Sequence, residues 1–207
     1  MKPRVTLLGD SIRLIGYGEP VAAALAQDFD VWQPDHNCRY AKHTLRELWT
    51  WSKHIEGSDV IHWNNGLWDV CDLFGDGPFT PIEQYVEEML RLATLLKART
   101  RVLIFATTTP VHPENPYNKN SVIAAYNEAL VPKLREMGVR INDLYTPVSA
   151  DIERYIRADD LIHLTDDGAA LCSELVERAI REAANTLDGE LGGCTGPCTA
   201  SDAGAPI

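Results

Sequence analysis

The sequence lacks long hydrophobic runs and clusters of basic residues, and each absence excludes a class of protein. No apolar segment reaches the roughly 18 to 20 residues that a membrane-spanning helix needs, so we expect no membrane partner. The chain has 30 acidic and 19 basic residues, and its formal net charge of -11 repels a phosphate backbone. We therefore expect no nucleic-acid partner. Residues 1–4 lead directly into a strand-like run, which favours a cytoplasmic protein.

Cysteine is also scarce. The chain has 5 cysteines, an odd number, and the first three lie far apart, which is not the pattern of a disulfide framework. The other two, Cys194 and Cys198, lie in residues 189–207, a segment rich in glycine, alanine, proline and threonine. Because no second cysteine or histidine pair at zinc spacing accompanies them, we expect a flexible tail. A local disulfide or a metal clip is the alternative.

Motifs for metals and cofactors are missing as well. The histidines show no H-E-x-x-H or comparable ligand spacing. Gly16 and Gly18 lack the third glycine of a dinucleotide-binding fingerprint. The G-x-S-x-G elbow of α/β-hydrolases is absent, which argues against that fold. We therefore expect that the protein needs neither a metal ion nor a cofactor for its activity.

The residues that are present favour one packed α/β domain over residues 1–188. Hydrophobic residues make up 45% of the 207-residue chain and charged residues 24%, as in soluble globular proteins. Short apolar runs alternate with helical patterns, which indicates a parallel sheet with crossover helices. These runs are residues 5–8, 29–32, 60–63, 102–106 and 139–141. We predict a flavodoxin-like three-layer sandwich, a five-stranded parallel sheet in the order 2-1-3-4-5, with ligands bound at the carboxyl ends of the strands.

Helix boundaries are marked by local signals. Residues 80–83 read as a capping box with Thr80 as the N-cap residue and proline at the first helical position. A second helix is predicted over residues 121–137, with Gly138 as its C-terminal cap. Thr165 is the predicted N-cap residue of the last helix.

The first strand is followed by Gly9, Asp10 and Ser11, a turn that presents a serine at a helix N-terminus. There the hydroxyl is accessible and the residue's own backbone N–H can stabilise an oxyanion, which suits a nucleophile. A serine that only caps the helix is the alternative interpretation.

Two further segments follow later strands. Asn64 and Asn65 precede Gly66, where a neutral amide could donate to an oxyanion, or where the pair could simply form an Asn-Gly turn. Asp160 lies three residues before His163, a spacing that lets the carboxylate orient the imidazole of a general base. An incidental ion pair in a surface loop is the alternative there. All three segments should meet at one edge of the sheet, which makes coincidence improbable.

Gly9-Asp10-Ser11 near one end, with Asp160-x-x-His163 near the other, resembles the SGNH (GDSL) hydrolases over residues 4 to about 184. The resemblance implies that Ser11 is the nucleophile, His163 the general base and Asp160 the acid that orients the histidine. It also implies an oxyanion hole built from backbone and asparagine N–H groups, with Ser11 contributing its own N–H.

The chain departs from the family pattern in two places. No glycine occurs between Gly18 and Gly57, so Cys38 is the candidate for the position of the family's backbone N–H donor. The family's third block has no asparagine after Gly66, and one of Asn64 and Asn65 is expected to replace it. Because strand alternation puts the two side chains on opposite faces, only one of them should face the site.

These residues predict a serine esterase that cleaves an acyl ester, with acetyl on a carbohydrate as the first substrate and a small molecule or oligosaccharide ester as the partner. Arg13, Tyr17, Trp63 and Trp68 are candidate substrate-binding residues, because aromatic faces stack on sugar rings and arginine pairs with carboxylates. An acyltransferase, a lipid acylhydrolase and a catalytically silent carbohydrate-binding module are the alternatives.

Overall fold

The computed structural model describes residues 2–192 and their side chains up to Leu187. A parallel sheet of five strands forms its centre, in the order β2-β1-β3-β4-β5, which confirms the predicted topology. The strands are β1 (Arg4–Leu8), β2 (Asp30–Trp32), β3 (Ser58–Trp63), β4 (Thr100–Ala106) and β5 (Arg140–Asn142). Each strand coincides with one of the five apolar runs, because strands covered on both faces need apolar side chains throughout.

Helices cover the sheet in two groups. They are α1 (Gly18–Leu25), α2 (Ala41–Thr50), α3 (Ser52–Ile55), α4 (Ile82–Lys97), α5 (Asn120–Glu136), α6 (Tyr145–Ser149), α7 (Ile152–Tyr155) and α8 (Asp166–Gly192), with a π-helical turn at Arg13–Tyr17 before α1. Helix α1 packs against α8, whereas α4 packs against α2 and α5. None of the helices in residues 2–192 is both long enough and apolar enough to cross a bilayer.

The predicted helix boundaries are partly confirmed. Gly138 has a φ of 74° after α5, and the Thr165 hydroxyl accepts a hydrogen bond from Gly168 N at 3.1 Å, as expected of a C-terminal and an N-terminal cap. The capping box at Thr80 is wrong. Helix α4 begins at Ile82 after Pro81 without a side-chain cap, because the Thr80 hydroxyl donates instead to the Asp69 carboxylate at 2.8 Å.

The last helix runs beyond the predicted start of the tail. Helix α8 ends at Gly192, four residues after the boundary expected at residue 188. Cys194 and Cys198 lie outside the described residues, and the expected flexible tail stays a prediction. The other three cysteines are free thiols, as the absence of a disulfide framework predicts.

The core lies on both faces of the sheet and ends in polar residues at the carboxyl edge. Trp63 and Phe105, on neighbouring strands, are fully buried with ring centroids 5.0 Å apart. Buried aromatic pairs of this kind add about 0.5–1.5 kcal/mol beyond the burial of their area. Strand β3 ends at Trp63 and Asn64 follows directly, so the aromatic pair lies at the carboxyl edge of the sheet, next to the polar side chains.

Candidate active site

The turn after β1 is shaped by close contacts that leave room only for glycine. A Cβ atom on Gly9 would lie 2.1 Å from Oδ1 of Asn64, far inside contact distance. The buried Asp10 accepts hydrogen bonds from Ile12 N at 3.0 Å and from Asn64 Nδ2 at 2.9 Å. These contacts fix the turn, so that Ser11 begins the helical segment at the edge of the sheet.

Asp10 itself does not face the solvent. Its side chain is fully buried, and burial raises the pKa of this carboxyl, although the hydrogen bond from Asn64 opposes the rise. One of its oxygens, Oδ2, has no hydrogen-bond partner. A buried carboxyl with an unsatisfied oxygen is costly, which is typical of sites where geometry serves function rather than stability.

The loop before α8 holds a histidine in one orientation. Nδ1 of His163 lies 3.0 Å from Oδ2 of Asp160. The other carboxylate oxygen accepts hydrogen bonds from the backbone N–H groups of Ile162 at 3.0 Å and His163 at 2.9 Å. Partial burial works to raise the pKa of Asp160, but these hydrogen bonds and the imidazole lower it to about 2. The carboxylate therefore stays ionised at neutral pH and orients the ring through Nδ1.

Ser11 and His163 line the same cavity, which has a volume of about 400 Å³. The sheet topology brings them together, because β1 is an inner strand between β2 and β3, and α8 packs beside the π-helical turn and α1 that follow it. The other lining residues are Asn37, Tyr40, Leu67, Trp68, Cys71, Leu73, Phe79, Asn118 and Ile162. Most of them are apolar. The cavity thus joins a serine hydroxyl and an imidazole to a largely apolar wall.

The assignment of Cys38 as an oxyanion donor is wrong. Its backbone N–H donates to the carbonyl of Gly9 at 3.1 Å, and its thiol accepts from Gly9 N at 3.2 Å. Both groups therefore tie the loop after β2 to the turn before Ser11. The cavity is lined instead by Asn37 and Tyr40, which lie before and after Cys38 and the left-handed Arg39, with a φ of 55°.

Asn64 and Asn65 extend in opposite directions, as strand alternation predicts. The Asn64 side chain donates to Asp10 and accepts from the Tyr17 hydroxyl at 2.7 Å, which places it beside the turn of Ser11. The Asn65 side chain accepts from Trp63 Nε1 at 2.7 Å.

Other partners hold Asn65 on its second side. It accepts from the Thr44 hydroxyl at 3.1 Å and donates to the Arg39 carbonyl at 2.6 Å. Asn65 is completely buried, whereas Asn64 keeps 5% of its surface exposed. Of the two side chains, Asn64 is therefore the amide that lies beside the turn of Ser11.

Of the four predicted substrate-binding residues, only Trp68 lines the cavity, with 42% of its surface exposed. The predictions for Arg13, Tyr17 and Trp63 are wrong, since all three side chains are buried and bonded within the protein. The Arg13 guanidinium donates to the carbonyls of Pro34 and His36, each at 2.8 Å. Tyr17 and Trp63 donate to the two asparagines instead of contacting a ligand.

The sequence analysis missed several residues of this region. Asp69 accepts hydrogen bonds from Ala41 N and the Thr80 hydroxyl, which joins the start of α2 to the start of α4. Asp69 ends the third block, where the sequence differs from the family pattern, and this position could have marked it as a candidate. Asn118 lines the cavity but belongs to no motif, so only the fold could have identified it. Within residues 2–192 there is no cluster of three or more potential metal ligands.

Comparison with other sequences gives two plant relatives, and no protein-family profile matches the chain. The GDSL esterase/lipase WDL1 of Oryza sativa subsp. japonica is 26% identical over 206 residues, covering 88% of this chain and 79% of that protein. The GDSL esterase/lipase CPRD49 of Arabidopsis thaliana is 24% identical, covering 88% of this chain and 80% of that protein.

Comparison with solved structures gives relatives of the same fold. A lipase/acylhydrolase from Enterococcus faecalis has a TM-score of 0.74 at 17% identity, covering 87% of this chain and 96% of that chain. The acetyl xylan esterase AlAXEase has a TM-score of 0.72 at 16% identity, covering 86% of this chain and 99% of that chain. The chain is therefore a homologue of GDSL esterase/lipases with the fold of lipase/acylhydrolases and acetyl xylan esterases, which confirms the resemblance to the SGNH (GDSL) hydrolases.

Proposed function

We propose that this protein is a carboxylic ester hydrolase that uses Ser11 as nucleophile, His163 as general base and Asp160 as the residue that orients the histidine. The observation that carries the proposal is that Ser11 and His163 line one cavity while Asp160 bonds the far side of the imidazole at 3.0 Å. The GDSL esterase/lipase relatives support the same reaction class through their names.

The reaction has two halves. In the first, Oγ of Ser11 attacks the ester carbonyl carbon while Nε2 of His163 takes the hydroxyl proton. The bond between the carbonyl carbon and the alcohol oxygen then breaks, and His163 gives its proton to the departing alcohol. In the second half, water attacks the acyl-serine, passes a proton to His163, and releases the carboxylic acid as the proton returns to Ser11.

The negative charge on the carbonyl oxygen needs N–H donors. Within the described residues, the backbone N–H of Ser11 donates to no protein acceptor, so it is available. The amide nitrogen of Asn64 carries two hydrogens, of which Asp10 takes one, and we propose the second as a donor. Each such donor contributes about 3 kcal/mol to the stability of the transition state.

An acetyl group on a carbohydrate is our first candidate substrate. Two acetyl xylan esterases share the fold, and Trp68 and Tyr40 offer aromatic faces on which a sugar ring can stack. An ester with a larger apolar acyl group is the second candidate, favoured by the apolar lining of the cavity. Product analysis with added acceptor alcohols separates either hydrolase from an acyltransferase.

Replacement of the nucleophile tests the proposal. Ser11→Ala should lower kcat for p-nitrophenyl acetate by roughly 10⁴- to 10⁶-fold and abolish labelling by a fluorophosphonate. Ser121→Ala, at an exposed serine at the start of α5, is the control and should behave as the unaltered protein. Ester cleavage that survives in Ser11→Ala would refute the assignment. A protein that neither cleaves any ester nor reacts with the fluorophosphonate would instead be the silent binding module.

A further inference from the structure

We propose that Tyr17 is a positioning residue for ester cleavage, which acts through Asn64 and does not contact the substrate. The Tyr17 hydroxyl donates to Oδ1 of Asn64 at 2.7 Å, while Nδ2 of Asn64 donates to Oδ1 of Asp10 at 2.9 Å. The side-chain amide of Asn64 is thus held at both of its polar atoms. This inference rests on the proposed hydrolase, in which Ser11 is the nucleophile and Asn64 donates to the oxyanion.

The two hydrogen bonds favour one orientation of the Asn64 amide. Oδ1 of Asp10 also accepts from Ile12 N at 3.0 Å, so it is an acceptor and needs a donor opposite it. Rotation of the amide by about 180° would place Oδ1 of Asn64 against this acceptor, which is unfavourable. In the observed orientation Nδ2 directs one hydrogen to Asp10, and its second hydrogen is left for the oxyanion.

Tyr17 is suited to be a permanent donor. Its side chain is completely buried, and burial, followed by the nearby Asp10 carboxyl, raises the pKa of its phenol well above the usual range. The phenol therefore keeps its proton at neutral and mildly alkaline pH. Within the described residues, no other group donates to Oδ1 of Asn64. Loss of the Tyr17 hydroxyl would leave this buried oxygen without a partner, so the amide could take other orientations.

An unusual backbone turn carries Tyr17. Residues Arg13–Tyr17 form a π-helical turn, in which Gly18 N donates to the carbonyl of Arg13, five residues earlier. A π-helical turn holds more residues than an α-helical one, which shifts the side chains that follow, and it is frequent at functional sites. A Cβ atom on Gly18 would lie 2.7 Å from the Arg13 carbonyl oxygen, so the turn needs glycine there. The sequence thus maintains a rare conformation in the segment that brings the Tyr17 hydroxyl to Asn64.

The ring of Tyr17 is held by packing that does not involve its hydroxyl. It contacts the buried ring of His62 edge-on, with ring centroids 5.7 Å apart. Because phenylalanine can keep this aromatic contact, Tyr17→Phe removes one hydrogen bond and preserves the packing. Tyr17 does not line the cavity, so the variant leaves the side chains that face the substrate unchanged.

The kinetics of Tyr17→Phe test the positioning role. With p-nitrophenyl acetate, kcat should fall by roughly 10- to 100-fold, because a displaced amide stabilises the transition state less, while KM stays within about twofold. The matched control is Tyr85→Phe. Tyr85 is equally buried, and its hydroxyl donates to the backbone carbonyl of Asn65 at 3.1 Å. Both variants should lower the urea midpoint of unfolding, but Tyr85→Phe should keep kcat within about twofold.

A double variant tests the route through Asn64. Asn64→Ala removes the group on which Tyr17 acts, so adding Tyr17→Phe to it should lower kcat by less than about threefold further. If the separate losses of the two variants multiply instead, Tyr17 does not act through Asn64 and the inference is overturned.

Three other results would also overturn it. They are a Tyr17→Phe variant that loses stability but keeps kcat, one that raises KM instead of lowering kcat, and an equal kcat loss in Tyr85→Phe. In each case, ester cleavage and fluorophosphonate labelling of Ser11 in the unaltered protein show that the proposed hydrolase stands. Absence of both from the unaltered protein refutes the hydrolase, and the role of Tyr17 with it.

Discussion

Asp160 orients His163 with one carboxylate oxygen while the other binds two backbone N–H groups. Asp160→Asn should lower kcat by roughly 10² to 10⁴-fold, because an amide holds the imidazole in the wrong tautomer. The measurement is the steady-state cleavage of p-nitrophenyl acetate. Asp159→Asn is the control, since its carboxylate pairs with Arg157 in solvent and does not contact the ring. Equal losses in both variants would remove Asp160 from the mechanism.

The two asparagines after β3 should respond differently to truncation. Asn64→Ala should lower kcat by roughly 10²- to 10³-fold, as expected on loss of an oxyanion donor. Asn65→Ala should instead lower the free energy of unfolding by about 2–4 kcal/mol, because Trp63 and Thr44 lose their buried acceptor. Kinetics and urea unfolding of both variants provide the test. A larger kcat loss in Asn65→Ala would exchange their roles.

Candidate site residues in short motifs could be proposed from the sequence, whereas the contacts of residues that are defined by long-range bonds could not. Ser11, Asp160 and His163 follow strands or lie in a compact loop, where local spacing already carries the geometry. The role of Cys38 depends on its bonds to Gly9, 29 positions earlier, which spacing does not report. The same is true of the other buried residues that we expected to contact substrate.

Among the elements, the π-helical turn that follows Ser11 is bonded to the loop after β2 through the buried guanidinium of Arg13. Arg13 bonds the buried carbonyl of Pro34 and the partly buried carbonyl of His36, so Arg13→Met would leave both acceptors without their partner. The free energy of unfolding should fall by about 2–4 kcal/mol, measured by urea denaturation. Arg46→Met, at an exposed arginine of α2, should change it by less than about 0.5 kcal/mol. If Arg13→Met left the free energy of unfolding unchanged, water would have to satisfy these carbonyls.

Strands were easier to predict than helix starts. Apolar runs such as that of β4 have no stable alternative to burial inside the sheet. The start of α4 depends on competition for one hydroxyl, and Thr80 bonds Asp69 rather than the helix because Asp69 is buried beside it. No local pattern records a partner 11 positions away.

At the scale of the whole molecule, Asp69 links stability to pH. Burial raises its pKa to about 7, although the Thr80 and Ala41 hydrogen bonds oppose the rise. Between about pH 4 and pH 7 the Asp69 carboxyl of the folded protein therefore holds a proton that the unfolded chain has released, so the contribution of Asp69 to stability falls as the pH rises through this window. A pKa difference of one between the folded and unfolded states changes the free energy of unfolding by about 1.4 kcal/mol.

In the unaltered protein, deprotonation of Asp69 should lower the free energy of unfolding by an amount on the order of 2–4 kcal/mol between about pH 4 and pH 7. Asp69→Asn should abolish this decrease. Chemical unfolding at several pH values measures this slope. Asp76→Asn, at an exposed carboxylate on the same segment, should keep it. An unchanged slope in Asp69→Asn would place the titration elsewhere in the molecule.

The strand order could be predicted because right-handed crossovers leave few ways to connect five parallel strands. That order alone brings the first and last motifs of the chain to one edge of the sheet. The lining of the cavity could not be predicted, since it comes from loops whose path is set by contacts such as Asp72 N to the Tyr117 carbonyl at 2.8 Å.

The stretch from His112 to Asn118 bonds two segments that contribute to the cavity. His112 N donates to the carbonyl of Leu161, in the loop that carries His163, while Nδ2 of Asn118 donates to the carbonyl of Leu67, after β3. The loop that carries His163 and the segment that follows β3 are therefore joined through a single stretch of seven residues, so their relative position depends on the path of that stretch.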